Sequence, residues 1–391
     1  MEKTVNRQKL YSVLFGAALL IYGGLLFYLY FKQLQAEPYV MGPFESDTAA
    51  HVFLAVEEHY YHSLAAFIYI LLYSLPFSLY STAFVLTLAT VFSVVFSVKL
   101  LEKIAGGLEV KLSRGLAYIL AFACNFHVAF YVSFVNRKHY IGYQCANMWH
   151  NSTYLFMRLF AILTVIVFLD LYKKYREDFR VKDWLSFTVL LMITTGFKAS
   201  FLTVFAPLLG ILLIKDLCKK TPFLKVFYMA LSVIPSLAVM ALQSMVLGGA
   251  GNGFAIAPFK ALSLRGDHPK VAVVVSVLFP LMVLFCNFKN VFKEKMYFWT
   301  IALWAVSFLE VFLLIETGER ALDGNFMWGY SIALFFLFAV SLLMAVKSFV
   351  NNREKIICKV VFAAQMAVFL WHVVSGIWYF VLLLSGGTYF V

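Results

Sequence analysis

The sequence predicts an all-α, polytopic bundle of about ten or eleven transmembrane helices, forming a single domain over 1–391. Three observations predict it. Of the 391 residues 63% are apolar and 13% charged, with mean hydropathy +0.85. A soluble domain is nearer half apolar and about a quarter charged. Runs such as Leu10–Phe31, Phe223–Leu247 and Ile356–Leu384 carry few or no charges, and each is long enough to cross a hydrocarbon core of about 30 Å. The runs are uniformly apolar rather than alternating, which excludes a porin-type barrel. The five cysteines, at 124, 145, 218, 286 and 358, stand apart without a CxxC, so neither a disulfide scaffold nor a zinc ribbon is expected.

The elements follow in order. Lys3, Arg7 and Lys9 precede span 1, about 11–31, and no small-residue cleavage site follows it. A retained anchor with a cytoplasmic N-terminus is expected. An outer loop, 32–77, contains amphipathic helices. Span 2, about 78–101, and span 3, about 115–135, flank an inner loop with Lys103, Lys111 and Arg114; span 4 is about 153–172. Residues 184–215 read as a broken helical hairpin, interrupted at Gly196–Ser200. Span 7, about 223–247, leads to a glycine-rich outer loop, 248–269. Span 9, about 296–315, leads to a polar outer loop, 316–327, and the C-terminus falls outside. This threading places all but nine of the 32 Lys and Arg residues on the inner side; the nine are Lys32, Arg137, Lys138, Arg158, Lys198, Lys260, Arg265, Lys270 and Arg320. The bias fixes a multi-pass orientation in the cell membrane. It also accounts for the net charge of +12 without a nucleic-acid partner; the partner it implies is the lipid bilayer. No G-x-x-x-x-G-K-[ST] pattern occurs, so ATP-driven transport by this chain alone is not expected.

The chemistry-bearing residues collect on the outer side. Glu45-Ser46-Asp47 opens a helical stretch in which Asp47, His51, Glu58 and His62 share a face within about 60°. Asp47 suits a helix N-cap; with His51 at i+4 it could instead hold a divalent metal ion. His150 lies in the second outer loop, and Arg158 follows inside an apolar span, where it either snorkels to the interface or meets an anion such as phosphate. Lys198 sits in the break of the hairpin, where a cation is tolerated if it lines a polar cavity. Arg265 lies in the glycine-rich loop. The last outer loop carries Glu316, Arg320 and Asn325, then Trp328, either a membrane-belt residue or a platform for a sugar ring.

An acidic-x-acidic motif directly after span 1, Glu45-Ser46-Asp47, leading into helices before span 2, resembles the GT-C class of integral-membrane glycosyltransferases. That resemblance implies a many-helix bundle with its active site on the outer face. It implies catalytic roles for Glu45 and Asp47, as base or metal ligand, and a polyprenyl-phosphate-linked sugar donor. The acceptor would be a lipid or glycan, as in cell-envelope polysaccharide biosynthesis. His51, His150, Arg158, Lys198, Arg265, Glu316, Arg320, Asn325 and Trp328 are then the candidate substrate contacts. A secondary transporter or flippase of a lipid-linked or anionic substrate would use the same intramembrane charges, with the break at Gly196–Ser200 as a gate.

Overall fold

In the computed structural model, the described residues are 2–128, 131–134, 148–247, 253–264, 268–318 and 323–387. The chain is a multi-pass helical membrane protein. Among the described residues, eight helices are long and apolar enough to cross a membrane, or nine if one bent pair counts as a single span. The first half comprises α1 (Glu2–Gln35), α2 (Asp47–Val56), α3 (Leu64–Tyr73), α4 (Ser78–Gly107) and α5 (Arg114–Phe126). Next come α6 (Ser152–Lys174), α7 (Val181–Phe197), α8 (Ser200–Cys218), α9 (Phe223–Leu231) and α10 (Ile234–Leu247). The remainder is β1 (Gly253–Ile256), α11 (Lys260–Ser263), α12 (Pro269–Ser276), α13 (Leu278–Asn287), α14 (Lys295–Leu313), β2 (Leu314–Thr317), α15 (Asn325–Asn351) and α16 (Ile356–Leu384).

The span count falls below the expected ten or eleven for a local reason. Helix α5 ends at Phe126, about 20 Å from its start. Beyond it, the backbone at Val128 and at Tyr131 lies against α16. Val128 N donates to His372 O at 3.4 Å, and Tyr131 N donates to Ser375 Oγ at 3.3 Å. The approach needs a glycine: a Cβ on Gly376 would stand 1.5 Å from the Phe126 carbonyl oxygen. Helix α7 is also short, at 17 residues. The bent pair is α12 and α13, which meet at 61°. Pro280 explains the bend, because its ring clashes with the carbonyl four residues earlier, at Ser276, where α12 ends.

Helix α15 is the central element. Residues 327–345 are buried without interruption, as expected for a segment apolar on every side. It packs against α14, α8 and α13; α6 packs against α4 and α7, and α1 lies along α4. Inside α4 the hydroxyls of Thr87, Thr90, Ser93 and Ser97 donate to carbonyls one turn back, which satisfies them where water is excluded. One feature was not legible in the sequence. β1 and β2 pair antiparallel, with Gly253 opposite Thr317 and Ile256 opposite Leu314, tying the glycine-rich segment to the stretch before α15.

Candidate functional site

A cavity of about 480 Å³ lies where α2, the α7–α8 turn, the end of α10, β2 and the starts of α6 and α15 converge. Every one of these element ends belongs to the same end of the bundle, because the helices alternate in direction.

Asp47 is the first residue of α2. The helix is capped by Ser46, whose Oγ accepts from Thr48 N at 3.2 Å, so the capping role expected of Asp47 falls one residue earlier. The carboxylate gains from the helix N-terminus and keeps 39% of its side-chain surface open. Its Oδ1 is 3.2 Å from His150 Nε2, and its Oδ2 accepts from Asn151 Nδ2 at 2.6 Å. Burial works against the charge, but His150, His51 and the Asn151 amide outweigh it and hold the carboxyl below the ordinary range. Asn151 is itself fixed, because its Oδ1 caps α6 by accepting from Tyr154 N at 3.0 Å.

His51, one turn along α2, bonds through Nδ1 to Ser152 Oγ at 3.1 Å. Burial, with Lys198 and the other histidines nearby, pushes it down to about 3, so it stands as a neutral ring beside Asp47. Glu45 is half-buried. Burial, partly offset by His150, raises its carboxyl above the ordinary range, and its buried Oε2 carries no hydrogen bond. The single helical face expected over 47–62 does not form: α2 ends at Val56, and His59 takes a left-handed φ of 51°. His62 nevertheless returns to the cavity wall, with its ring 5.9 Å from that of His51.

Lys198 follows α7 in extended conformation. Its Nζ lies 3.4 Å from Thr153 Oγ1 and 5.1 Å from the centre of the Trp328 ring. Glu316 holds the start of α15, accepting from Asn325 N at 3.0 Å and from Asn325 Nδ2 at 2.7 Å. Trp328 is buried against Tyr154, with ring centres 4.7 Å apart.

The cavity wall therefore carries Asp47, His51, Lys198, Glu316, Asn325 and Trp328, with His150 directly behind Asp47. Arg158 does not line it. That residue is buried, with NH2 donating to Asn125 Oδ1 at 2.9 Å and the guanidinium 4.3 Å above the Phe335 ring. Arg265 and Arg320 lie outside the described residues. Asp323, from the polar loop 316–327, also faces the cavity, as do Tyr39, Tyr60 and Gln243, which were not expected there. Gln243 carried a usable signal, as a lone amide within an apolar run.

Asp47 and His51 are the pair considered for a divalent ion. Both oxygens of Asp47 are engaged by side-chain donors, and His51 Nδ1 is taken by Ser152. Among the described residues no three His, Cys, Asp or Glu side chains group as metal ligands.

Fold and cavity together define a polytopic, all-helical membrane protein with a polar chamber at one end. Scans of protein-family models and of curated proteins find no match to the chain.

Proposed function

We propose that this chain is a membrane glycosyltransferase of GT-C type, moving a sugar from a polyprenyl-phosphate donor to a lipid or glycan hydroxyl on the outer face of the cell membrane. The observation that carries the reading is one cavity wall bearing both an ionised carboxylate, Asp47, and an ammonium, Lys198, at a single end of the bundle. Lys198 would sit against the donor phosphate and steady the charge that grows there as the bond from the anomeric carbon to phosphate oxygen breaks. Tyr39 and Tyr60 offer ring faces, and Glu316 and Asp323 offer acceptors, for a sugar.

The depressed Asp47 is a weak base, since proton transfer works best when the pKa lies near the working pH. A fixed anion is suited instead to stabilising positive charge developing at the anomeric carbon. Glu45, two residues away and raised by burial, does not line the cavity itself; to take the acceptor's proton it would act through a bridging water. The balance is then complete. The acceptor oxygen bonds to the anomeric carbon, its proton goes to Glu45, and polyprenyl phosphate leaves.

The test is incubation of the purified chain in lipid vesicles with labelled polyprenyl-phosphate sugar, reading donor retention and released polyprenyl phosphate. Wild type retains the donor, Lys198→Gln loses most of it, and Asp47→Asn retains it without turnover. Equal retention by wild type and Lys198→Gln would remove the phosphate assignment.

A further inference from the structure

At the opposite end of the bundle, α1 and α5 leave a groove of about 420 Å³ between them. Its wall is almost wholly apolar: Tyr11, Phe15 and Ala18 from α1 face Gly115, Ile119 and Phe122 from α5. The groove follows α5 from Ser113 to Phe122, about 14 Å of helix. Tyr11 rests on Gly115, where a Cβ would meet its ring at 3.0 Å, and Phe15 stacks on Tyr118 at 4.1 Å. Beyond these contacts residues 8–20 of α1 are largely exposed, so the groove opens sideways to whatever surrounds the spans.

Its mouth is charged. Lys111 and Arg114 flank Ser113 at the start of α5, and both are exposed. No acidic residue stands within five positions of Arg114 except Glu109, so the local balance is cationic. An apolar slot between the membrane-spanning helix α1 and the short apolar helix α5, with basic residues at one end, matches one ligand chemistry: an acyl chain ending in a phosphate.

We propose that this groove is a binding site for an anionic glycerophospholipid, with one acyl chain between α1 and α5 and the headgroup phosphate on Lys111 and Arg114. The site is independent of the cavity and of its reading as a glycosyltransferase.

The experiment is native mass spectrometry of the full chain in detergent, titrated with phosphatidylglycerol or with phosphatidylcholine of identical acyl chains. Wild type retains phosphatidylglycerol preferentially. A basic residue near a lipid headgroup contributes enough that removing two, as Lys111→Gln with Arg114→Gln, weakens phosphatidylglycerol binding about thirtyfold and leaves phosphatidylcholine unchanged. Ala18→Trp fills the slot from an exposed position and lowers retention of both lipids. Equal retention of the two lipids by wild type overturns the proposal, as does phosphatidylglycerol binding indifferent to the double charge variant. A dimer that Ala18→Trp dissociates, with lipid retention untouched, would make a second copy of the chain the occupant and overturn it equally.

Discussion

Asn151 donates through Nδ2 to Asp47 Oδ2 at 2.6 Å, while its Oδ1 caps α6. One amide thus joins the first residue of α2 to the first turn of α6, and both its ends are committed. Asn151→Asp keeps the cap, since Asp caps as well as Asn, but turns the donor into a second carboxylate against Asp47. Turnover should fall by roughly 10²-fold, the scale of losing one well-placed electrostatic contact, with expression unchanged. The apparent pKa in the rate profile should rise. A rate equal to wild type would mean that the charge on Asp47 does not take part in the reaction.

The neutral state of His51 has a signature in acid. The ring titrates near 6.5 in an unfolded chain and at about 3 in the fold. Between these values the unfolded chain binds the extra proton, so stability is full above about 6.5 and falls as the pH drops toward 3. His51→Asn removes that term, and its stability should decline less steeply than wild type across the window. Parallel curves in detergent-phase unfolding from pH 7 to 4 would contradict the burial of a neutral ring.

Arg158 is fixed without a carboxylate among the described residues, on Asn125 and the face of Phe335. A buried charge stripped of its acceptor is costly, whereas replacing it with an apolar residue of similar size is often neutral. Asn125→Leu should therefore destabilise by about 2 kcal/mol, and Arg158→Met should be near neutral in both stability and donor retention. Loss of donor retention in Arg158→Met would restore this arginine to the substrate site.

Gly376 faces the Phe126 carbonyl where α5 stops. Gly376→Ala inserts a methyl where a backbone oxygen stands, and overpacking of this kind costs about 1–3 kcal/mol. A lowered Tm of the purified chain is expected, and an unchanged Tm would mean that α5 and α16 separate easily.

Orientation can be read directly. In a chain freed of its native cysteines, Asp323→Cys should react with an impermeant thiol reagent in intact cells, and Asp178→Cys should not. The reverse pattern would turn the cavity toward the cytoplasm.

The bundle was legible because long apolar runs and the distribution of Lys and Arg act over twenty residues at a time, a scale set by the bilayer itself. Lys198 was legible for the same reason: a cation interrupting an apolar hairpin needs a polar surrounding, and it lies on the cavity wall. Arg158 met the same argument and does not line the cavity, because an amide and an aromatic face can hold a guanidinium as a water-filled space can. Sequence spacing does not distinguish them. His62 reaches the wall only after the chain turns at His59, and the β1–β2 pairing joins residues some sixty positions apart; helical periodicity encodes neither.

The cavity draws its walls from residues made far apart in time. Asp47 and His51 leave the ribosome early, Asn151 and Lys198 later, and Glu316 and Asn325 roughly 270 residues after Asp47. At about 5–20 residues per second, a nascent chain carries the carboxylate for roughly 10–60 s and the ammonium for roughly 6–25 s before α15 arrives to close the chamber. A protein arrested before α15 would thus lack the wall that Asn325 and Trp328 supply, and the chamber is complete only when synthesis is nearly over.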